Sequence, residues 1–354
     1  MPFAFTPDIY QAQGSYFAAM NTPRGFVSFF PKLFSHYRRY IIKGGPGTGK
    51  STLMKKVAKA AEARGLFLTR YYCSSDPTSL DAIVIPALSL ALIDGTPPHA
   101  EEPYAVGAWD RYLDLSRFID PTALVKDADT IKKLTNEKSC AYRRAYRMLK
   151  ALNEVEDDLD ELRRDCFLFD KCEKAVAALL SRLGIHKSED KSISLLPVSA
   201  FGTSGYLALD SDAHRAKTTV FIRDYGRVSF LIFELLKKEL ARREIGYTYS
   251  LTPMRETVDH IFVPATKTLI TALPMVSDFT LTVNAERFLV GRGKGMLKTA
   301  KKETHLATAL FEEAKDALKK AGTLHGECES YYRKAMDFHA LSAYTDTLIA
   351  EIFA

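Results

Sequence analysis

Apolar and polar positions alternate along this chain in two periods. Tyr40-Ile41-Ile42 is a short apolar run that predicts a buried strand, and Leu53 to Glu62 repeats its apolar residues every three or four positions, as one face of a helix does. Leu66 to Tyr72 predicts a second strand, ending at Cys73-Ser74-Ser75-Asp76-Pro77, and Leu88 to Asp94 predicts another, mostly apolar and closed by a carboxylate. Phe26, Phe29, Phe30, Leu33 and Phe34 recur at helical spacing after a predicted turn at Thr22 to Gly25. From Pro121 to Leu183 the chain becomes charged. Tyr142, Tyr146, Leu149, Leu152, Val155, Leu159 and Leu162 step by three or four there, which predicts a long amphipathic helix folded back by residues 166–183.

The stretch between the first strand and the first helix carries the clearest chemistry. Gly44-Gly45-Pro46-Gly47-Thr48-Gly49-Lys50-Ser51-Thr52 fits G-x-x-x-x-G-K-[ST]. Glycines let successive backbone N–H groups face one concavity, and the following helix N-terminus adds partial positive charge. In that pattern Gly44 to Thr52 cradle phosphates, Lys50 meets the β- and γ-phosphate oxygens, and the Ser51 hydroxyl holds Mg²⁺. Asp94, ending an apolar strand, fits the Walker B position as a second Mg²⁺ holder. It is followed by Gly95 rather than Glu, so the water-activating group must lie elsewhere, and His99 is the nearest titratable candidate. Asp76, beyond a strand end, is placed to orient a water or accept a hydroxyl proton, or else merely to start the turn before Pro77. Arg143, Arg144 and Arg147 are either a lid's phosphate contacts or a solvated helix face.

The second half repeats the first. Asp81-Ala82-Ile83-Val84-Ile85-Pro86-Ala87 matches Asp259-His260-Ile261-Phe262-Val263-Pro264-Ala265 at an offset of 178, and Thr219 to Arg223 supplies the strand before a second loop. That loop reads Asp224-Tyr225-Gly226-Arg227-Val228-Ser229-Phe230. Val228 faces Lys50, Met254 faces Asp76 and Ala272 faces Asp94, so all three candidate groups are lost together. Asp224 stands where phosphate would sit, and the loop should not bind a nucleotide. Asp81 and Pro86 survive as Asp259 and Pro264, which points to a structural role such as a cap for Asp81. The expected architecture is an α/β P-loop NTPase fold with a mainly parallel sheet, duplicated as lobes 1–185 and 186–354. Each lobe carries its own helical appendage, about 122–183 and 297–353. Gly291 to Gly295, Arg223 and Arg227 are candidate sources of a cation for the first lobe's γ-phosphate.

Lys43 to Met54, Cys73-Ser74-Ser75-Asp76-x-x-Ser79-Leu80-Asp81, Ile85-Pro86, Asp94-Gly95-Thr96-x-Pro98-His99 and Ala335-Met336-Asp337-Phe338 together carry a family likeness. On them the chain resembles an uncharacterised bacterial family of ATP-binding proteins with a duplicated P-loop domain. The resemblance covers most of the chain and implies ATP binding and hydrolysis. Family members usually keep an intact glycine loop in the second half too, and this sequence departs there.

Composition narrows the rest. The 354 residues carry 49 Lys and Arg against 43 Asp and Glu, a mild net charge of +6, with no basic stripe interleaved with aromatics, so a nucleic-acid partner is not expected. The 5 cysteines lack zinc spacing and read as reduced thiols of a cytoplasmic protein. No apolar run is long enough to span a bilayer and no signal peptide is read. No Asn-Lys-x-Asp guanine reader appears, so ATP is favoured over GTP. The leading expectation is a Mg²⁺-dependent ATPase with one working site, for which a homodimer is a candidate assembly. A small-molecule or nucleotide kinase using Asp76 as base, and a nucleotide-gated interaction protein, are the alternatives.

Overall fold

The computed structural model describes residues 14–225, 227–273, 279–290 and 294–354. Two six-stranded mixed sheets organise it. Strands β1 (Ser15–Phe17), β2 (Ala19–Thr22) and β3 (Gly25–Ser28) lead through α1 (Phe30–Phe34) to β4 (Arg38–Lys43), the glycine loop and α2 (Lys50–Glu62). Then come β5 (Thr69–Tyr72), β6 (Leu80–Ile85), β7 (Leu90–Asp94) and β8 (Arg111–Asp114), followed by α3 (Pro121–Val125), α4 (Ala128–Asp165) and α5 (Phe169–Arg182). The second half runs β9 (Ile193–Leu195), β10 (Ser199–Gly202), β11 (Gly205–Ala208), α6 (Ser211–Arg215), β12 (Thr218–Arg223) and α7 (Ser229–Arg242). It continues with β13 (Tyr247–Leu251), β14 (Val258–Val263), β15 (Thr268–Thr271), β16 (Leu281–Asn284), α8 (Lys294–Ala335) and α9 (Phe338–Ile352).

The first sheet has the order β8-β4-β7-β6-β5-β1 and the second β16-β12-β15-β14-β13-β9, strand for strand the same. In each, one strand (β6 or β14) runs antiparallel to both neighbours and the remaining pairings are parallel. Each antiparallel strand ends in a proline-started helical turn, Pro86–Leu88 or Pro264–Thr266, closed by a residue in the left-handed region, Ser89 or Lys267. The repeat seen in the sequence is therefore a repeat of topology. The chain reaches Asp94 from α2 through β5 and the antiparallel β6–β7 pair. Leu66, Phe67 and Leu68 precede β5 rather than belonging to it.

The aromatic run after Thr22 also divides differently from the helical expectation. Phe26 lies in the β2–β3 hairpin, and only Phe30–Phe34 is helical. Helix α2 meets its periodic pattern. Leu53, Met54, Val57, Ala58 and Ala61 are buried, and the helix packs over β6 and β7.

The last helices of the two appendages are exchanged between the lobes. Helices α4 and α8 run antiparallel along one another, with Leu134 beside Leu324 and Cys328, and Arg144 paired to Glu313 at 2.6 Å. Helix α5 then packs on α7 of the second lobe, while α9 packs on α2 of the first. Phe167, Cys172, Val176 and Leu180 sit in the second lobe's core; Phe311, Leu318, Leu341 and Leu348 sit in the first lobe's. Two matching seams fix the exchange. The Asp120 N–H donates to the Ala335 carbonyl (2.8 Å) and Asp337 N–H to Phe118 (2.9 Å). In the other lobe Val290 N–H donates to Cys166 (2.8 Å) and Leu168 N–H to Phe288 (2.7 Å). The appendage that follows each sheet thus ends against the other lobe. No helix among the described residues is long and apolar enough to cross a membrane, and Cys73, Cys140, Cys172 and Cys328 are in no disulfide.

Candidate functional site

The glycine loop leaves β4 and enters α2 at Lys50. Gly47 (φ +69°) and Gly49 (φ +89°) hold left-handed backbone, which is where a side chain would be strained. Gly49 is the helix N-cap and offers no side chain, so no side-chain cap covers the first turn of α2. Thr48 Oγ1 donates to the Gly45 carbonyl at 2.9 Å and closes the loop on itself. Lys50 Nζ donates to the Gly45 carbonyl (2.9 Å) and lies 3.4 Å from that of Gly44 and 3.7 Å from Asp94 Oδ2. Ser51 Oγ accepts from the Leu80 N–H at 3.0 Å, tying α2 to the start of β6. Thr52 is exposed on the first turn and Pro46 is half-buried in the loop.

Asp94 ends β7 beside Ile42, its register partner on β4. Its Oδ1 accepts from Thr96 N–H (2.9 Å) and Thr96 Oγ1 (2.6 Å). Only glycine fits after it, since a Cβ at position 95 would stand 2.3 Å from Ile41 Cγ2. Lys43 Nζ holds the next loop by donating to the Gly95 (2.9 Å) and Glu101 (2.8 Å) carbonyls. That loop returns His99 to the end of the sheet. Its Nδ1 lies 2.9 Å from the Asp94 carbonyl, its ring stacks on Phe30 at 4.6 Å, and Nε2 lies 3.7 Å from Asp81 Oδ1.

Asp81 corrects the sequence reading. It is no cap: it lies within β6, 4% exposed, with Oδ2 buried and without a hydrogen-bond partner. Burial pushes its carboxyl up to about 6. Its repeat counterpart Asp259 is equally buried, but faces Tyr206 and has Ala272 where Asp94 would stand. Position alone was preserved; the neighbours changed.

Asp76 takes the turn role. Its Oδ1 accepts from Thr78 N–H (3.0 Å) and Thr78 Oγ1 (2.7 Å), and its Oδ2 from Ser79 Oγ (2.7 Å). Burial raises its pKa, but the hydrogen bonds from Ser79 and Thr78, with Lys55 nearby, more than offset this and hold it below the usual carboxylate value.

Three residues that the sequence reading missed lie over the loop, all on α8. A Cβ on Gly45 would be 2.6 Å from the Tyr332 ring, and one on Gly47 would be 3.1 Å from both Arg333 Cγ and the Glu329 carbonyl. A Cβ on Gly49 would be 2.9 Å from Leu341 of α9. Arg333 pairs with Glu329 at 3.0 Å. The sequence held one signal for this, Ala335 to Phe338, which is the α8–α9 junction beside the loop. The candidate cations, and Arg144 of the basic helix cluster, have partners of their own. Arg227 pairs with Glu156, Arg223 lies over Tyr225, and Arg144 pairs with Glu313. Gly291 to Gly293 lie outside the described residues.

The second loop is closed chemically. Asp224 turns back on its own helix, accepting from Val228 N–H (2.9 Å) and Ser229 N–H (2.6 Å). A carboxylate therefore occupies the N-terminus of α7, as an anion would. No family model, curated protein or solved structure matches the chain.

Proposed function

We propose that the chain is a Mg²⁺-dependent ATP-binding protein and an ATPase, with one working site at the N-terminus of α2. The observation that carries this is the contrast between the two loops. The helix end in the second lobe is filled by Asp224; the one in the first lobe has no side-chain cap, a loop of glycines and a lysine resting on the loop's own carbonyls. In this reading the Gly44 to Ser51 amides hold the phosphates. Lys50 leaves the Gly45 carbonyl for the β/γ oxygens, a short movement of a flexible side chain. Ser51 and Asp94 are the residues that would hold Mg²⁺, which neutralises charge between the β- and γ-phosphates. Catalysis would be positioning and charge stabilisation. Asp81 and His99, beside Asp94, are better placed than Asp76 to receive a proton from water, because both Asp76 oxygens serve the turn.

The kinase alternative loses its base on the same grounds. The nucleotide-gated interaction reading gains support from α8: Tyr332 and Arg333 lie on the loop, so phosphate arriving there must be felt by the helix that couples the two lobes. Titration calorimetry with Mg-ATP tests the site. Wild type binds one equivalent, Lys50→Ala abolishes binding, and Val228→Lys adds no second site. Tight binding by Lys50→Ala would refute the assignment. With γ-labelled ATP, label recovered only in inorganic phosphate separates ATPase from kinase.

A further inference from the structure

Among the described residues, Asp81, Asp94 and His99 are the one group of three metal-ligating side chains whose donor atoms all lie within 4.8 Å of one another. They come from three different segments, β6, the end of β7 and the loop that follows it. Each has been left with a donor facing the others. His99 Nδ1 can only donate to the Asp94 carbonyl, since a carbonyl oxygen accepts, so Nδ1 carries the proton and the neutral ring has its lone pair on Nε2. That arrangement, one ring nitrogen on a backbone carbonyl and the other bare, is how proteins orient a ligating imidazole. Phe30 stacked on the ring and Phe26 5.9 Å away hold its plane. Asp94 spends Oδ1 on Thr96 and leaves Oδ2. Asp81 is buried with Oδ2 unpartnered, which is costly for a carboxylate unless something positive sits against it. Lys50 does not fill that role: its Nζ is on the Gly45 carbonyl and nearest to Asp94.

We infer that Asp81, Asp94 and His99 bind a first-row divalent cation of the Mn²⁺ type through their own side chains, before any nucleotide arrives. Two carboxylates and an imidazole suit Mn²⁺ or Zn²⁺ better than Mg²⁺, which demands oxygen ligands in near-ideal octahedral geometry. Neighbouring ligands of one ion lie about 3 Å apart for bonds near 2.1 Å, so loading draws the three side chains together by rotation. The second lobe is an internal control. It keeps the buried aspartate as Asp259 but has Ala272 in place of Asp94, so its carboxylate stands beside Tyr206 and not beside a second carboxylate. The inference shares Asp94, and the proton acceptors Asp81 and His99, with the ATP reading but does not rest on that reading.

The test is a Mn²⁺ titration of the full chain, stripped of metal and nucleotide, followed by loss of the free-ion electron paramagnetic resonance signal. Wild type should take up one equivalent, which a hundredfold excess of Mg²⁺ does not displace. Asp81→Asn and His99→Ala should each weaken uptake at least tenfold, while Lys50→Ala and Asp76→Asn should leave it in place. Should His99→Ala not fold, Asp81→Asn, nearly isosteric, carries the comparison. An unchanged free-ion signal with wild type, uptake that appears only after ATP is added, or equal uptake by wild type and Asp81→Asn would overturn the inference. Mn²⁺ uptake by a protein that does not bind ATP would leave it standing and remove the ATP reading; Mg-ATP binding without Mn²⁺ uptake would do the reverse.

Discussion

Replacing Gly45 by alanine asks whether α8 is seated on the glycine loop. Gly45 does not hold positive φ, so alanine meets no backbone penalty there. The cost is the contact. The new Cβ would stand 2.6, 2.8 and 3.3 Å from Cε1, Cδ1 and Cζ of Tyr332, against an ordinary carbon–carbon separation of about 3.5–4.0 Å. The ring must retreat by about 1 Å. Tyr332 packs beside the Leu134, Leu324 and Cys328 cluster, so its retreat disturbs the α4–α8 seam. Overpacking of this kind costs about 1–3 kcal/mol. In a Tyr332→Ala background the clash is gone, and Gly→Ala should then stabilise by about 0.4–1 kcal/mol through the unfolded chain. The sign of the Gly45→Ala effect is therefore expected to reverse between the two backgrounds, a coupling of about 1.5–4 kcal/mol on those same figures. Urea unfolding of the four nucleotide-free proteins measures it. Equal Gly45→Ala effects in both backgrounds would refute the packing of α8 on the loop, and with it the view that the loop's glycines serve the helix as well as an anion.

Asp224→Ala should destabilise the protein by about 0.5–2 kcal/mol, the usual loss on removing a helix cap, and give no nucleotide binding in the second lobe; thermal melts and calorimetry check both halves. Gly95→Ala should cost about 1–3 kcal/mol, because its Cβ would be driven against buried Ile41, and an unchanged melting temperature would contradict the β4–β7 register. Glu239 is held down at about 2 by hydrogen bonds from Arg242 and Arg243. A depressed carboxylate stabilises above its unfolded value near 4.5 and loses that contribution as pH falls towards 2. Glu239→Gln should accordingly lower the melting temperature at pH 7, by an amount that shrinks below pH 4.5 and vanishes near pH 2. A difference that stays constant with pH would show that the ion pair is not its source.

Much of the first lobe was legible because its elements are local. Strands and helices declare themselves by period, and the glycine loop is a contiguous motif whose backbone demands are met by glycines at 47 and 49. Asp224 was legible for a related reason: its acid lies only four and five residues before the amides it caps, within reach of any chain that enters a helix there. What comparison of the two halves misjudged was Asp81, because shared sequence at 81 and 259 does not carry shared neighbours. Tyr206 meets one, while Asp94 and His99 meet the other.

The sequence by itself determined the duplicated α/β elements, the intact loop and the filled one, since these depend on residues a few positions apart. Only the tertiary structure decided which helices cover which lobe. It also decided that Tyr332 and Arg333, nearly three hundred residues after the loop, lie on it. The apolar stripes of α4 and α8 are alike enough that periodicity cannot say which sheet each will serve. That choice is made by the pairing of the two long helices and the hydrogen-bonded seams at their ends, contacts between distant residues that no local pattern encodes.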